Sequence, residues 1–301
     1  MKIKNTITGS LAAFAVFASQ ASAEIILTED LSLSGYIDIW LDSLDSEGDA
    51  DYGVQEIELA FAFTPADSPF SAVAELSLDG ADAFSGGEEI KLNTETVTVT
   101  YAASDALSFT VGNILSYQGF ETFDATGLYQ YSYSGSGGAV LYSAEYAFGA
   151  SADYVTDDYS LGFWIGDNGG EASTEYLFAY TGVEDLTLKF IFADDPGYES
   201  FNVWGAYDYG DFTFAFEYYD NEPTVGAETE TLMGLVYYSF GDAGLTVRYV
   251  DGEMGGVDYE RLTFSPSYSL SDNVFVLAEF TFEDAGDSDS EEFAAELIYT
   301  F

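Results

Sequence analysis

Short segments in which apolar and polar side chains alternate recur along most of the chain, separated by glycine, proline and acidic turn residues at a spacing of about ten residues. Successive side chains of a strand point to opposite faces, so each such segment has one oily face and one wet face. In residues 291–301, Phe293, Ala295, Leu297, Tyr299 and Phe301 share one face, while Glu292, Ala294, Glu296 and Thr300 share the other. Ile57, Leu59, Phe61 and Phe63 oppose Glu56, Glu58, Ala60 and Ala62 in the same way. Leu186, Leu188, Phe190 and Phe192 oppose Thr187, Lys189, Ile191 and Ala193; Phe212, Phe214, Phe216 and Tyr218 oppose Thr213, Ala215, Glu217 and Tyr219. Soluble sandwiches also alternate, but a last strand closing on an aromatic residue favours a wall between lipid and water.

The segments that read as strands are 31–42, 54–63, 70–79, 90–101, 107–117, 139–155, 160–166, 172–181, 186–193, 200–209, 211–220, 228–240, 245–250, 257–268, 273–283 and 291–301. The expected fold is all-β, a transmembrane antiparallel β-barrel of about sixteen strands, with 14 or 18 left open because strand limits read from one sequence are loose. Ile90 and Leu92 have the opposite parity to Val97, Val99 and Tyr101, which requires a bulge or a late start of the span near Thr94. Segment 139–155 contains Gly149 and is long enough for two short strands. The connections 64–69, 102–106, 182–185, Gly210, 241–244 and 269–272 are short, and the alternate ones are mostly longer and acidic. Short periplasmic turns and longer outer loops follow that alternation. The longest connection, 118–138, is rich in aromatics and glycine.

At the other end, Lys2 and Lys4 precede an apolar run over 7–18 and the small residues Ala21, Ser22 and Ala23. This predicts a signal peptide over 1–23 and a barrel over 24–301. The apolar run is shorter than the roughly 20 residues a membrane-spanning helix needs.

Charge sharpens the picture. Lys+Arg number 6 against 54 Asp+Glu, a formal charge of -48, yet 48% of residues are hydrophobic and 17% aromatic. A disordered acidic chain lacks such hydrophobicity, so the acid must be segregated, and stretches 42–51 and 283–292 read as solvated acidic loops. Outside the expected leader the cations are Lys91, Lys189, Arg248 and Arg261, too few to bind nucleic acid. With no histidine and no cysteine, His-dependent hydrolysis, thiol chemistry, disulfides and the usual zinc sites are excluded, and no enzymatic activity is expected. Among 54 acids a chance carboxylate pair carries no information. Residues 45–51 lack the glycine position and the bidentate Glu of an EF-hand, so no cofactor or dedicated metal site is expected, only weak Ca2+ or Mg2+ binding by acidic loops that bridges to lipopolysaccharide.

The stretch Thr110-Val111-Gly112-Asn113-Ile114-Leu115-Ser116-Tyr117-Gln118-Gly119-Phe120-Glu121, followed by Thr126-Gly127-Leu128-Tyr129-Gln130-Tyr131-Ser132-Tyr133, resembles the type 2 beta-barrel porin family of Gram-negative bacteria. The resemblance implies an outer-membrane pore, with the loop near 118–138 folded inward to narrow it and with homotrimers as the assembly. General porins often set a basic wall against an acidic loop, and four cations leave little of one.

On this reading Tyr117, Glu121, Asp124, Tyr129 and Tyr131 form or brace the constriction, while Glu58, Glu75, Lys189, Glu217, Arg248, Arg261 and Glu279 line the wall. Carboxylate rings favour cations, so passive diffusion of small hydrophilic solutes with cation preference is expected. The simpler alternatives are interfacial girdle positions for Tyr129 and Tyr131, backbone bonding within the loop for Glu121, and pairing with wall carboxylates for Arg248 and Arg261. Two rival classes stand beside the pore: a non-conducting structural or adhesive outer-membrane barrel, and a secreted soluble β-protein, for which no fixed-period repeat is present.

Overall fold

The computed structural model of the chain describes residues 24–42, 51–79, 91–121, 124–132, 146–168 and 170–301. Seventeen strands follow in order: β1 (Ile25–Ile26), β2 (Leu31–Asp42), β3 (Asp51–Phe63), β4 (Phe70–Asp79), β5 (Lys91–Ala102), β6 (Leu107–Leu115), β7 (Tyr146–Val155), β8 (Tyr159–Asn168), β9 (Glu171–Tyr180), β10 (Leu186–Asp195), β11 (Tyr198–Tyr209), β12 (Phe212–Pro223), β13 (Thr229–Phe240), β14 (Ala243–Met254), β15 (Val257–Ser271), β16 (Val274–Ala285) and β17 (Ser288–Thr300). Among the described residues between β6 and β7, Ala125–Gly127 form a 3-10 turn.

From β2 to β17 each strand pairs antiparallel with its neighbour in sequence, and β17 returns to β2, from Ala294 opposite Asp42 to Thr300 opposite Tyr36. The ring of sixteen strands is therefore closed. At the seam Gly35 N–H donates to Phe301 O at 2.8 Å and Phe301 N–H to Gly35 O at 2.9 Å. The two-residue β1 continues past Phe301, pairing Ile25 with Leu33. Strands of about twelve residues rise roughly 40 Å, enough to cross the apolar band of an outer membrane at the tilt such barrels adopt.

The side-chain split follows the parity in the sequence. On β10, Phe190 and Phe192 are 39% and 41% exposed outside, while Ile191 and Ala193 are 1% and 2% exposed inside. On β17, Ala294, Glu296, Ile298 and Thr300 are buried inside and Tyr299 is exposed outside. Beside the short turns at 210–211 and 241–242, outward aromatics stack in a belt: Phe212 lies 4.5 Å from Tyr238 between ring centroids, and Tyr238 lies 5.5 Å from Phe240. Tyr and Phe at that height match the aromatic girdle of a membrane interface. The parity break in β5 is a bulge: Val97 pairs with Ala74 but Thr94 with Leu76, leaving Glu95 and Thr96 opposite Glu75.

Four expectations change. The strand read over 139–155 is β7, starting at Tyr146; 139–145 lie outside the described residues. β6 ends at Leu115, because the chain turns away from the sheet at Ser116. The acidic stretch 283–292 is not a loop. β16 runs to Ala285 and β17 starts at Ser288, with Glu283 paired to Ser290 and Asp284 to Asp289, so ladder hydrogen bonds hold a segment that composition alone marks as solvated. Long outer connections also occur only early in the chain, over 43–50, 80–90 and 116–145; the outer turns at 196–197, 255–256 and 286–287 are as tight as those at the opposite end.

Gly112 has φ 146°, and a Cβ there would lie 1.9 Å from Val97 O. Gly234 has open space on its side-chain side. Gly112→Ala should therefore cost about 1–3 kcal/mol of backbone strain and lower the denaturant midpoint of the detergent-folded barrel. Gly234→Ala should stay within roughly 0.5 kcal/mol of the parent.

Candidate pore constriction

After β6 the chain leaves the wall and crosses the inside of the barrel, held by acceptors that strand alternation places on the inner face. Glu175 on β9 accepts from Ser116 Oγ and from Tyr117 N–H, both at 2.7 Å. Tyr117 donates its hydroxyl to Asp153 of β7 at 2.6 Å, and burial first, then Asp153, raises that phenol above its ordinary range. Gln118 accepts from Ser200 Oγ at 2.8 Å, Gly119 N–H donates to Asn202 Oδ1 at 3.0 Å, and Phe120 N–H donates to Glu217 Oε1 at 2.9 Å. Further on, Thr246 Oγ1 donates to Tyr129 O at 2.6 Å and Ser132 N–H donates to Glu279 Oε2 at 2.9 Å. Three wall glutamates, Glu175, Glu217 and Glu279, thus receive backbone N–H groups that no strand partner could satisfy.

One ion pair fastens the middle of this segment. Arg248 on β14 places Nε 2.7 Å from Glu121 Oε1 and Nη2 2.9 Å from Oε2, with both side chains 1% exposed. Gln130 Nε2 also donates to Glu121 Oε1, at 2.6 Å. Arg248 therefore pairs with the inner loop. Arg261 does pair with the wall, lying 3.4 Å from Glu283 and 3.3 Å from Glu292 on the two strands beyond it. Lys189 sits 4.7 Å from the centroid of the Trp204 ring.

Apolar contact completes the docking. Phe120 meets Trp204 edge-on at 5.5 Å, and Tyr129 lies 4.9 Å from Tyr237. Both belong to a buried cluster with Leu177, Ile191, Met233, Leu235 and Val250 on the inner face of β9–β14. Tyr129 lies in this inner segment and is buried, which rules out a girdle position. Tyr131 is also off the strands and donates to Gln55 Oε1 at 3.2 Å.

The other inner arc, on β2–β5, is acidic. Glu56, Glu58 and Glu95 each bring a carboxylate oxygen within 4.8 Å of the others. Asp124, from the inner loop, is pushed up to about 7 by removal from water and then by Glu75 and Glu95. Sequence parity put Glu58 and Glu75 on the wall. It also placed Glu56 on the wet face, but without assigning it a role, and Glu95 escaped because it sits in the bulge where alternation fails. Glu175 shares the face opposite Tyr176 and Phe178 and was legible in the same pattern; Asn202 and Thr246, being neutral, carried no signal.

No protein-family model matches the chain, and neither does any curated protein. Solved structures do. Salmonella typhi OmpF, in complex with daunomycin, is similar over 92% of this chain and 100% of its own, at 14% identity and a TM-score of 0.72. A loop-deleted OmpT, an outer membrane protein of Vibrio cholerae, matches over 90% and 99% at 15% identity and 0.69. A mutant Rh. blastica porin matches over 90% and 100% at 15% identity and 0.66. The fold is that of bacterial outer-membrane porins.

Breaking a buried ion pair from one side leaves an unpaired charge, at a cost of about 3–5 kcal/mol. Glu121→Gln and Arg248→Gln should each lower the unfolding midpoint in detergent, and the double variant should lose clearly less than the sum of the two. Additive losses would mean the pair does not hold the loop.

Proposed function

We propose that the protein is an outer-membrane porin through which small hydrophilic solutes diffuse passively, with cations preferred. The observation that carries this reading is the polarity of the closed sixteen-strand ring: aromatic and aliphatic side chains outside, and a carboxylate-rich inner arc facing an inward-folded loop. Barrels of this strand number enclose an aqueous channel, and inner carboxylates favour cations. The porin and outer-membrane neighbours support the pore and its place in the outer membrane; contact with lipopolysaccharide, a non-enzymatic role and assembly as trimers are part of the proposal. The resemblance to the type 2 beta-barrel porins and the leader over 1–23 belong to it as well.

In this pore Tyr117, Glu121, Tyr129 and Tyr131 are braces, and Asp124 is the constriction's charge. Glu121 is neutralised by Arg248 and contributes little field to the lumen. Arg261 is likewise neutralised by its two carboxylates, so the transverse field is weak and the net field is that of the β2–β5 acids, Glu58 and Glu75 among them. Glu217 and Glu279 are occupied in holding the loop.

One observation favours the non-conducting structural or adhesive alternative: the inner face of β9–β14 is apolar and buried where Phe120 and Tyr129 pack on it. Planar-bilayer recording of the detergent-refolded chain under a salt gradient separates the two. The porin reading expects large steps and a cation-selective reversal potential; a folded barrel that never conducts would establish the alternative. Because Asp124 is ionised above about pH 7 and neutral below it, cation preference should fall as pH drops from 8 to 6. Asp124→Asn should shrink the part of that change centred near pH 7.

A further inference from the structure

We propose that Glu56, Glu58 and Glu95 form a binding site for one divalent cation of the calcium class on the inner wall of the barrel. One oxygen from each carboxylate lies within 4.8 Å of the other two, so there is a point no farther than about 2.8 Å from all three where an ion could sit. Calcium–oxygen bonds run 2.3–2.6 Å, within reach of small side-chain movements. The donor set is all carboxylate oxygen in a chain without His or Cys, which suits a hard cation rather than zinc or copper.

The acidity of the cluster is not the argument by itself. Glu58 is 8% exposed, and its Oε2 has no hydrogen-bond partner. Ser77, directly across from Glu58 in the β3–β4 ladder, is fully buried, and its Oγ is also without a partner. Buried oxygens are normally matched by donors, and two adjacent orphans mark a place where an oxygen-seeking ligand belongs. The backbone is arranged around the same point. β3 bulges at Gln55, next to Glu56, where Asp38 pairs with Glu56 but Ile39 with Val54; β5 bulges at Glu95 itself. Glu56 and Glu58 share the inner face of β3 by alternation, and the β5 bulge re-aims Glu95 from another strand to the same point. Tyr36 donates its hydroxyl to Glu56 Oε2 at 2.6 Å, which orients that carboxylate, and Asn113 Nδ2 donates to the backbone O of Glu95, which holds the chain at the β5 bulge. Glu56 and Glu95 are half-buried, so an ion reaches the site from the lumen and keeps water on its open side.

The test is a Ca2+ binding isotherm by equilibrium dialysis on the detergent-folded full-length protein, stripped of divalent ions beforehand. The expected result is one saturable ion per chain with a Kd of about 10 µM to 1 mM. Glu58→Gln and Glu95→Gln should each weaken it at least about tenfold, while Glu253→Gln, an exposed acid on β14, should leave it unchanged. Both inner variants relieve charge repulsion and should fold, checked by heat-modifiable electrophoresis; either one suffices if the other fails to fold. Absence of saturable binding, or equal binding in a folded Glu58→Gln or Glu95→Gln variant, would overturn the site. The isotherm needs no current, so a barrel that binds calcium without conducting would sink the pore alone, and one that conducts without binding would sink the site alone.

Discussion

Everything else in this structure depends on the seam at which β17 pairs with β2. A lipid environment offers no hydrogen bonds, so each strand N–H and C=O must find a partner in another strand, and only a closed ring leaves no edge. Once the ring closes, the pleat assigns every side chain to the outside or the lumen, and a shift of one residue would exchange the two. The bulges in β3 and β5 are two local exceptions, beside a register shift in β15 at Ser269–Ser271. Both bulges fall where carboxylates crowd the inner wall.

The inner loop obeys the same rule by other means. Leaving the sheet at Ser116, it loses ladder partners for its backbone, and wall glutamates supply them. Glu175, Glu217 and Glu279 each accept a loop N–H, Asn202 accepts another, and Thr246 donates to a loop carbonyl. Acidic residues that look in the sequence like a charged pore lining are in part structural acceptors. The Arg248–Glu121 pair and the packing of Phe120 and Tyr129 on the apolar inner arc then fix one side of the loop, leaving Asp124 toward the acids of β2–β5.

Much of this was legible in the chain. Parity placed Glu58, Lys189, Glu217 and Glu296 inside, and the phase slip between Leu92 and Val97 announced the β5 bulge. The limits of β2 and β4 agreed to the residue, because clear turn signals bound them. Where reading failed, the cause was physical. The stretch 283–292 has a loop's composition but pairs as strand, since ladder bonds outweigh weak propensity at a hairpin tip. Glu121 and Asp124 are both acids of the same loop, yet Glu121 meets Arg248 while Asp124 faces the acids of β2–β5, a difference that only the folded ring sets.

The sequence by itself determined the class of fold and the face of nearly every strand residue, because period-two alternation between lipid and water is a local property, while the pairing of β17 with β2 settled the strand number that the sequence had left at about sixteen. Only the tertiary structure decided which acids hold the loop, which arginine meets which carboxylate, and that Glu56, Glu58 and Glu95 converge. The loop and arginine pairings join residues from 22 (Arg261–Glu283) to 147 (Ser132–Glu279) positions apart, and ring closure, not local pattern, brings them within bonding distance.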